Sequence, residues 1–249
     1  MLTLWPVTGI PEVAPGADLA ATIHAAIGRS GLELLPGDVL AVAQKIVSKA
    51  EGRMVDLTTV KVGGRARRLA LRLSPEADPR VVQVVLDETA RVVRAGPRVL
   101  IVETKSGFIC ANAGIDHSNV GGDQVTLLPN DPDRSARILA EGIESLSRVR
   151  PAVVICDSFG RPWRNGIVNV ALGVHGIAAL VDLRGTTDWL GQKLTATVLA
   201  VADEIAAAAG LVMPKSGGVP VALIRGVVDR GAVGSGRDLL RVAELDLFR

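Results

Sequence analysis

Tyrosine is absent from this 249-residue chain, and phenylalanine and tryptophan occur three times each. With aromatics at 2%, there is no row of rings on which successive nucleic-acid bases can stack. Charge of one sign is also missing. Twenty-eight Lys and Arg face 26 Asp and Glu, a formal net charge of +2, and the two signs are interspersed. Nucleic-acid binders show a basic face, so no nucleic-acid partner is expected. Cysteine occurs twice, as Cys110 and Cys156, each within an apolar run and neither in a CxxC or Cys/His cluster. This argues against a disulfide framework or structural zinc and predicts two buried free thiols in a reducing cytoplasm. No signal peptide is expected, because residues 1–6 run straight into a strand-like segment. A membrane-spanning run is missing too. The longest apolar stretch, residues 166–183, carries Asn169, His175, Asp182 and three glycines, and reads as core rather than membrane.

What is present describes a folded chain. Apolar residues make up 48%, mostly Ala, Val and Leu, and charged residues 22%, far from a disordered composition. The length suits a single domain over 1–249 with ample core, its last residues, 227–249, forming a peripheral tail with helix-forming capacity. No repeat or flexible linker is seen. Neither GxxxxGK[ST] nor GxGxxG occurs, so any nucleotide is held outside the folds those motifs mark.

Periodicity predicts strands at residues 2–7, 39–43, 99–103, 108–111 and 220–224. It predicts helices from Asp18 to about Gly31, over 78–96, over 133–147 and over 195–210. Residues 60–75 read as basic and exposed. In residues 44–53, Lys45, Lys49 and Arg53 share a face if the segment is helical. A strand entering a helix that begins with lysines suits phosphate, but local sequence alone favours a solvated basic face. The alanine-rich helix over 195–210 permits close helix–helix approach, including across a dimer interface.

The most informative stretch is 153–166, VVICDSFGRPWRNG. Its apolar opening reads as a buried strand. Asp157 and Ser158 then stand side by side at the strand's mouth, hard oxygen ligands of the kind that hold Mg²⁺ or Mn²⁺. Gly160, Pro162, Asn165 and Gly166 predict a loop, with Arg161 and Arg164 placed to meet phosphate or carboxylate oxygens. The plainer alternative is that Asp157 and Ser158 cap a helix or shape a turn. A second polar cluster, NAGIDHSNV at 112–120, contains Asp116 as a metal-ligand candidate and Asn119 as a hydrogen-bonding group for a base edge or phosphate. It too has a plainer reading, an Asx-rich loop. The glycine-rich loop MPKSGGVP at 213–220 can cradle phosphates.

Five stretches in order carry a resemblance: GIP at 9–11, IVSKAEGR at 46–53, NAGIDHSNV at 112–120, CDSFGRPWRNG at 156–166 and VADEIAAAAGLV at 201–212. Together they resemble the coenzyme F(420)-0:L-glutamate ligases, GTP-dependent γ-glutamyl ligases of deazaflavin cofactor biosynthesis. The likeness runs from Val7 to about Gly226. It is closest to the standalone form without a fused nitroreductase-like domain, or to a truncated piece of the fused form. The resemblance implies an unusual α+β fold, neither Rossmann nor P-loop, in an intertwined homodimer. It implies transfer of a phosphoryl group from GTP to the terminal carboxylate of F(420)-0, then attack by the amine of L-glutamate. Carried onto this chain, Asp116 and Asp157 hold a first divalent cation and Ser158 a second, as Mg²⁺ or Mn²⁺, with K⁺ a further cation. Gln44, Lys45, Lys49 and Asn119 contact GTP, with the loop Ile10, Pro11, Glu12, Val13 and the loop Met213, Pro214, Lys215, Ser216, Gly217, Gly218, Val219, Pro220.

One departure stands out. Archaeal relatives carry a second-metal glutamate where this chain has Lys215, in a loop one residue shorter. Either the second metal is held differently, or Lys215 contacts phosphate directly and takes over part of the metal's charge. Two other readings compete with the ligase. One is a divalent-metal-dependent phosphohydrolase in which Asp116 and Asp157 activate water. The other is a non-catalytic nucleotide-binding domain.

Overall fold

The computed structural model describes residues 1–118, 120–228 and 233–247. The chain opens with β1 (Thr3–Val7) and α1 (Leu19–Arg29), then β2 (Val39–Ala43), which enters α2 (Gln44–Ala50) with no loop between. β3 (Met54–Asp56), α3 (Gly64–Leu73) and α4 (Pro79–Asp87) follow. Next come β4 (Thr89–Gly96), β5 (Val99–Thr104), β6 (Ile109–Ala111), β7 (Gln124–Thr126) and α5 (Pro132–Ser147). The long hairpin of β8 (Ala152–Arg161) and β9 (Arg164–His175) leads to β10 (Val181–Asp182), β11 (Val198–Leu199), α6 (Val201–Ala209) and β12 (Val221–Arg225). The architecture is mixed α and β, with several separate sheets.

The main sheet has the order β1-β12-β2-β8-β9. β2 and β8 run parallel, and the other neighbours antiparallel. Its central strands are apolar without alternation, as VLAVA in β2 and VALI in β12, because both faces are covered. On one face Leu40, Val42, Val153, Ile155 and Leu223 pack against Ile23 and Ile27 of α1 and Leu139 and Ile143 of α5. On the other, Val39, Ala41, Val154, Cys156 and Ile224 pack against Ala202, Ile205, Ala206 and Ala209 of α6. Each fully buried branched side chain contributes roughly 1.5–3 kcal/mol. Asp18 starts α1 by accepting from Ala21 N at 2.9 Å, an N-cap bond. Gly142 lets α5 cross α1, since a Cβ there would lie 2.6 Å from Ala20 Cβ. The smaller sheet β4-β5-β6 is backed by α3 and α4 through Ala66, Ala70, Val82, Val85, Leu100 and Val102.

Several expectations need correction. The helix predicted over 78–96 stops at Asp87, and Thr89–Gly96 becomes β4, paired along β5 from Thr89↔Thr104 to Gly96↔Val99. Its Val-Val pair fits either period, and the partner strand settles it. Residues 60–75 contain α3, whose Ala66, Ala70 and Leu73 are buried, so the segment is amphipathic rather than wholly exposed. The loop predicted from Gly160 to Gly166 is instead the end of β8 and the start of β9, with Pro162 and Trp163 at the turn. The helix predicted from 195 begins at Val201, and its alanine face packs inside this chain. Among the described residues no helix is long and apolar enough to cross a membrane.

Candidate active site

Two cavities open where β2, β8 and the loop before β12 end. The first, of about 380 Å³, lies between the 10–13 loop, the start of α2 and the 213–220 loop. The second, of about 1270 Å³, lies between the β8–β9 hairpin, the β4-β5-β6 sheet and residues 239–246. Asp116, Asp157, Ser158 and Lys215 line both. They form the shared wall.

Each comes from a different local cause. Asp157 and Ser158 sit on β8 just beyond the buried Cys156, at the register Asp157↔Val170 and Ser158↔Asn169. A register shift between Ile155 and Cys156 lies immediately before them, and such bulges re-aim side chains. Asp116 is held by a bridge to Thr126, its N–H donating to Thr126 O at 3.1 Å, which pins its loop beside α2. Lys215 stands on the loop that Met213 anchors in the core.

The shared wall carries alternating charge. Lys45 Nζ lies 2.7 Å from Asp116 Oδ2. Ser118 N donates to Asp116 Oδ1 at 2.6 Å. Lys215 Nζ donates to Ser158 Oγ, which donates in turn to Asn169 Oδ1 at 2.7 Å. Burial pushes the Asp157 carboxyl up to about 6; the Asp116 charge adds to the rise, while the Ser158 N–H, Lys215 and Lys45 oppose it. At Asp116 burial pulls upward too, but hydrogen bonds from Lys45 and Ser118 outweigh it and the net direction is down. Both cysteines are buried and free, and burial pushes each thiol up to about 12. Neither is a thiolate nucleophile at neutral pH.

Deeper in the first cavity, Lys49 is 4% exposed and ion-paired to Glu12. The solvated basic face favoured by local sequence is therefore not what forms: Lys49 is buried, Lys45 is bound to Asp116, and Arg53 lies beyond α2, paired with Glu88 at 2.7 Å. Gln44 is 1% exposed. Its Oε1 accepts from Ser48 Oγ at 2.8 Å, while its buried Nε2 has no partner among the described residues.

The structure brings the expected residues together with few exceptions. Ile10, Pro11, Glu12, Val13, Gln44, Lys45, Lys49 and the 213–220 loop all line the first cavity, except that Gly217 turns against Pro214 and leaves the wall. Arg161 and Arg164 line the second cavity instead. Asn119 lies outside the described residues. Asn169, Ser118, Trp163 and Arg241 line the cavities without having been singled out for them. Asn169 carried a signal, as the one polar side chain in the run IVNVAL; only its register opposite Ser158 gives it a purpose.

The donor set is all oxygen: two carboxylates and a hydroxyl. Among the described residues no group of three or more His, Cys, Asp or Glu converges. Two carboxylates with open sides suit Mg²⁺ or Mn²⁺, which complete their shells with phosphate oxygens and water. Ser158 already accepts from the Lys215 ammonium.

Comparison with known proteins assigns the chain to the amide-forming ligases. The family model described as F(420)-0:gamma-glutamyl ligase matches residues 9–226, and the chain belongs to that family. It is similar to the coenzyme F(420):L-glutamate ligase of Methanothermobacter thermautotrophicus, 42% identical over 251 residues that cover 100% of this chain and 99% of the relative. The protein of the same name from Methanocaldococcus jannaschii is 43% identical, covering 86% and 85%. That from Haloarcula marismortui is 42% identical, covering 100% and 96%.

Proposed function

We propose that this protein adds L-glutamate to the terminal carboxylate of F(420)-0 at the expense of GTP, through an acyl phosphate, in coenzyme F(420) biosynthesis. The observation that carries the reading is the wall shared by the two cavities. Phosphoryl transfer needs donor and acceptor oxygens in line across one charge-neutralising boundary. GTP in the first cavity and the acceptor in the second meet at Asp116, Asp157, Ser158 and Lys215.

Lys45, Lys49 and Lys215 supply positive charge to the triphosphate, and the unpartnered Gln44 Nε2 supplies a neutral donor. Asp116 and Asp157 would hold a divalent ion, which when bound neutralises charge on the transferring phosphate. Lys215 adds a fixed cation beside Ser158. Its ammonium takes part of the role of a second metal. Arg161 and Arg164 steady the carboxylate that is being phosphorylated. Glutamate's amine then attacks the acyl carbon, and phosphate leaves. No enzyme nucleophile is required, in keeping with two protonated, buried thiols.

The test is a mass-resolved product assay with F(420)-0, L-glutamate, GTP and Mn²⁺, omitting each in turn. Glutamylated product that requires all four supports the ligase. GTP loss without glutamylated product would instead favour the phosphohydrolase reading, or a different carboxylate acceptor.

A further inference from the structure

The family match ends at residue 226, yet the second cavity has a wall beyond it. Leu239, Leu240 and Arg241 close the side facing the β8–β9 hairpin and the β4-β5-β6 sheet.

This segment is fastened firmly. Gly236 packs directly on β9: a Cβ there would stand 2.1 Å from Leu172 O. Its N–H donates to Asp133 Oδ1 at 2.7 Å, and the same oxygen accepts from Val174 N at 2.8 Å. One carboxylate thus ties the segment to both α5 and β9. Ser235 and Asp238 close a reciprocal capping box over Gly236–Leu239. Leu240 then packs with Phe108, Leu128, Leu172 and Phe159. Leu240 is a core contact at the cavity's edge, and the next residue, Arg241, is carried to the cavity wall by it.

Arg241 is exposed and makes no ion pair among the described residues. The same cavity is lined by Arg161, Arg164 and the exposed Trp163. An apolar cavity lined by an indole and guanidinium groups suits a flat ring system bearing anionic substituents.

We propose that Arg241 is a specificity-determining residue that binds an anionic group of the acceptor, and that residues 239–241 form a wall of the acceptor cavity. The inference rests on the placement of the acceptor in the second cavity. Residues beyond the 9–226 match of the family model thereby contribute to acceptor binding.

Steady-state kinetics with F(420)-0 on Arg241→Ala, Arg241→Lys and Trp163→Ala tests it. Arg241 and Trp163 are exposed, so folding is not at stake. Expected for Arg241→Ala is a rise of about tenfold in KM for F(420)-0, with the KM for GTP changed less than twofold and the effect on kcat smaller than that on KM. Arg241→Lys, which keeps charge but not the planar fork, should recover part of the loss. Trp163→Ala should raise the same KM. If Trp163→Ala raises it and Arg241→Ala does not, the inference is overturned while the cavity assignment stands. If neither variant changes it, the acceptor lies elsewhere and both fall.

Discussion

Lys45 Nζ lies 2.7 Å from Asp116 Oδ2, joining the first turn of α2 to a loop 71 positions further along the chain. Neither group is fully exposed, with the lysine side chain at 18% and the carboxylate at 35%. The pair holds one of the two carboxylates on the wall between the cavities, with its cation turned toward the first. Lys45→Ala is predicted to weaken GTP binding by tenfold or more, since a hydrogen bond to a charged group contributes roughly 1.5–3 kcal/mol. Nucleotide titration by calorimetry measures it. Unchanged affinity would separate Lys45 from the phosphates.

Asp157→Asn is predicted to lower turnover more than a hundredfold with the fold intact. The change keeps the shape and removes one negative charge from a wall where burial already penalises that charge. Thermal melting and the product assay read the two effects separately. Near-normal turnover would remove Asp157 from the site.

Gln44 presents a buried donor with nothing to bond. An unsatisfied buried polar group costs stability in the free protein and is recovered when a ligand accepts from it. Gln44→Leu removes that donor but also the acceptor of the buried Ser48 hydroxyl, so the double variant Gln44→Leu, Ser48→Ala is predicted to melt no lower than the parent when nucleotide-free, and to bind GTP about fivefold to tenfold more weakly. A lower melting temperature with unchanged GTP affinity would make Gln44 a structural residue.

Asp203, on α6, accepts from Ala171 N at 2.8 Å, and burial raises its pKa above the ordinary 3.8. A carboxyl whose folded pKa is above its unfolded one binds more protons when folded. Its contribution to stability thus grows as pH falls from the folded pKa toward 3.8, and its charge is a cost at neutral pH. Asp203→Asn keeps an acceptor for Ala171 and loses the charge. The variant is predicted to gain melting temperature over the parent at pH 7, with the gain shrinking as pH falls through that window. A gain that widens toward acid would contradict the assigned sign.

Much of the main sheet was legible because covering both faces writes an uninterrupted apolar run into each central strand. β2 and β12 show this, and α1 is announced by Asp18. Where the surroundings are not core, the pattern fails. Asp157–Arg161 has no alternation because it borders cavities rather than packed layers, so a strand resembled a loop until its partner Val168–Val170 was in place. Thr89–Gly96 became a strand through pairing with residues that follow it, which helical period cannot foresee. The site divides similarly. The first-cavity loops and the acid pair follow from ordered motifs. Asn169 depends on a strand register, and Arg241 on how a terminal segment is pinned by Asp133 and Leu240.

The most direct measurement uses F(420)-0 labelled with ¹⁸O in its terminal carboxylate. Phosphorylation makes one carboxylate oxygen the bridge to phosphorus, and attack by the glutamate amine expels that oxygen with the phosphate. The account predicts one ¹⁸O in the inorganic phosphate for every amide formed. Amide formation with unlabelled phosphate would contradict it.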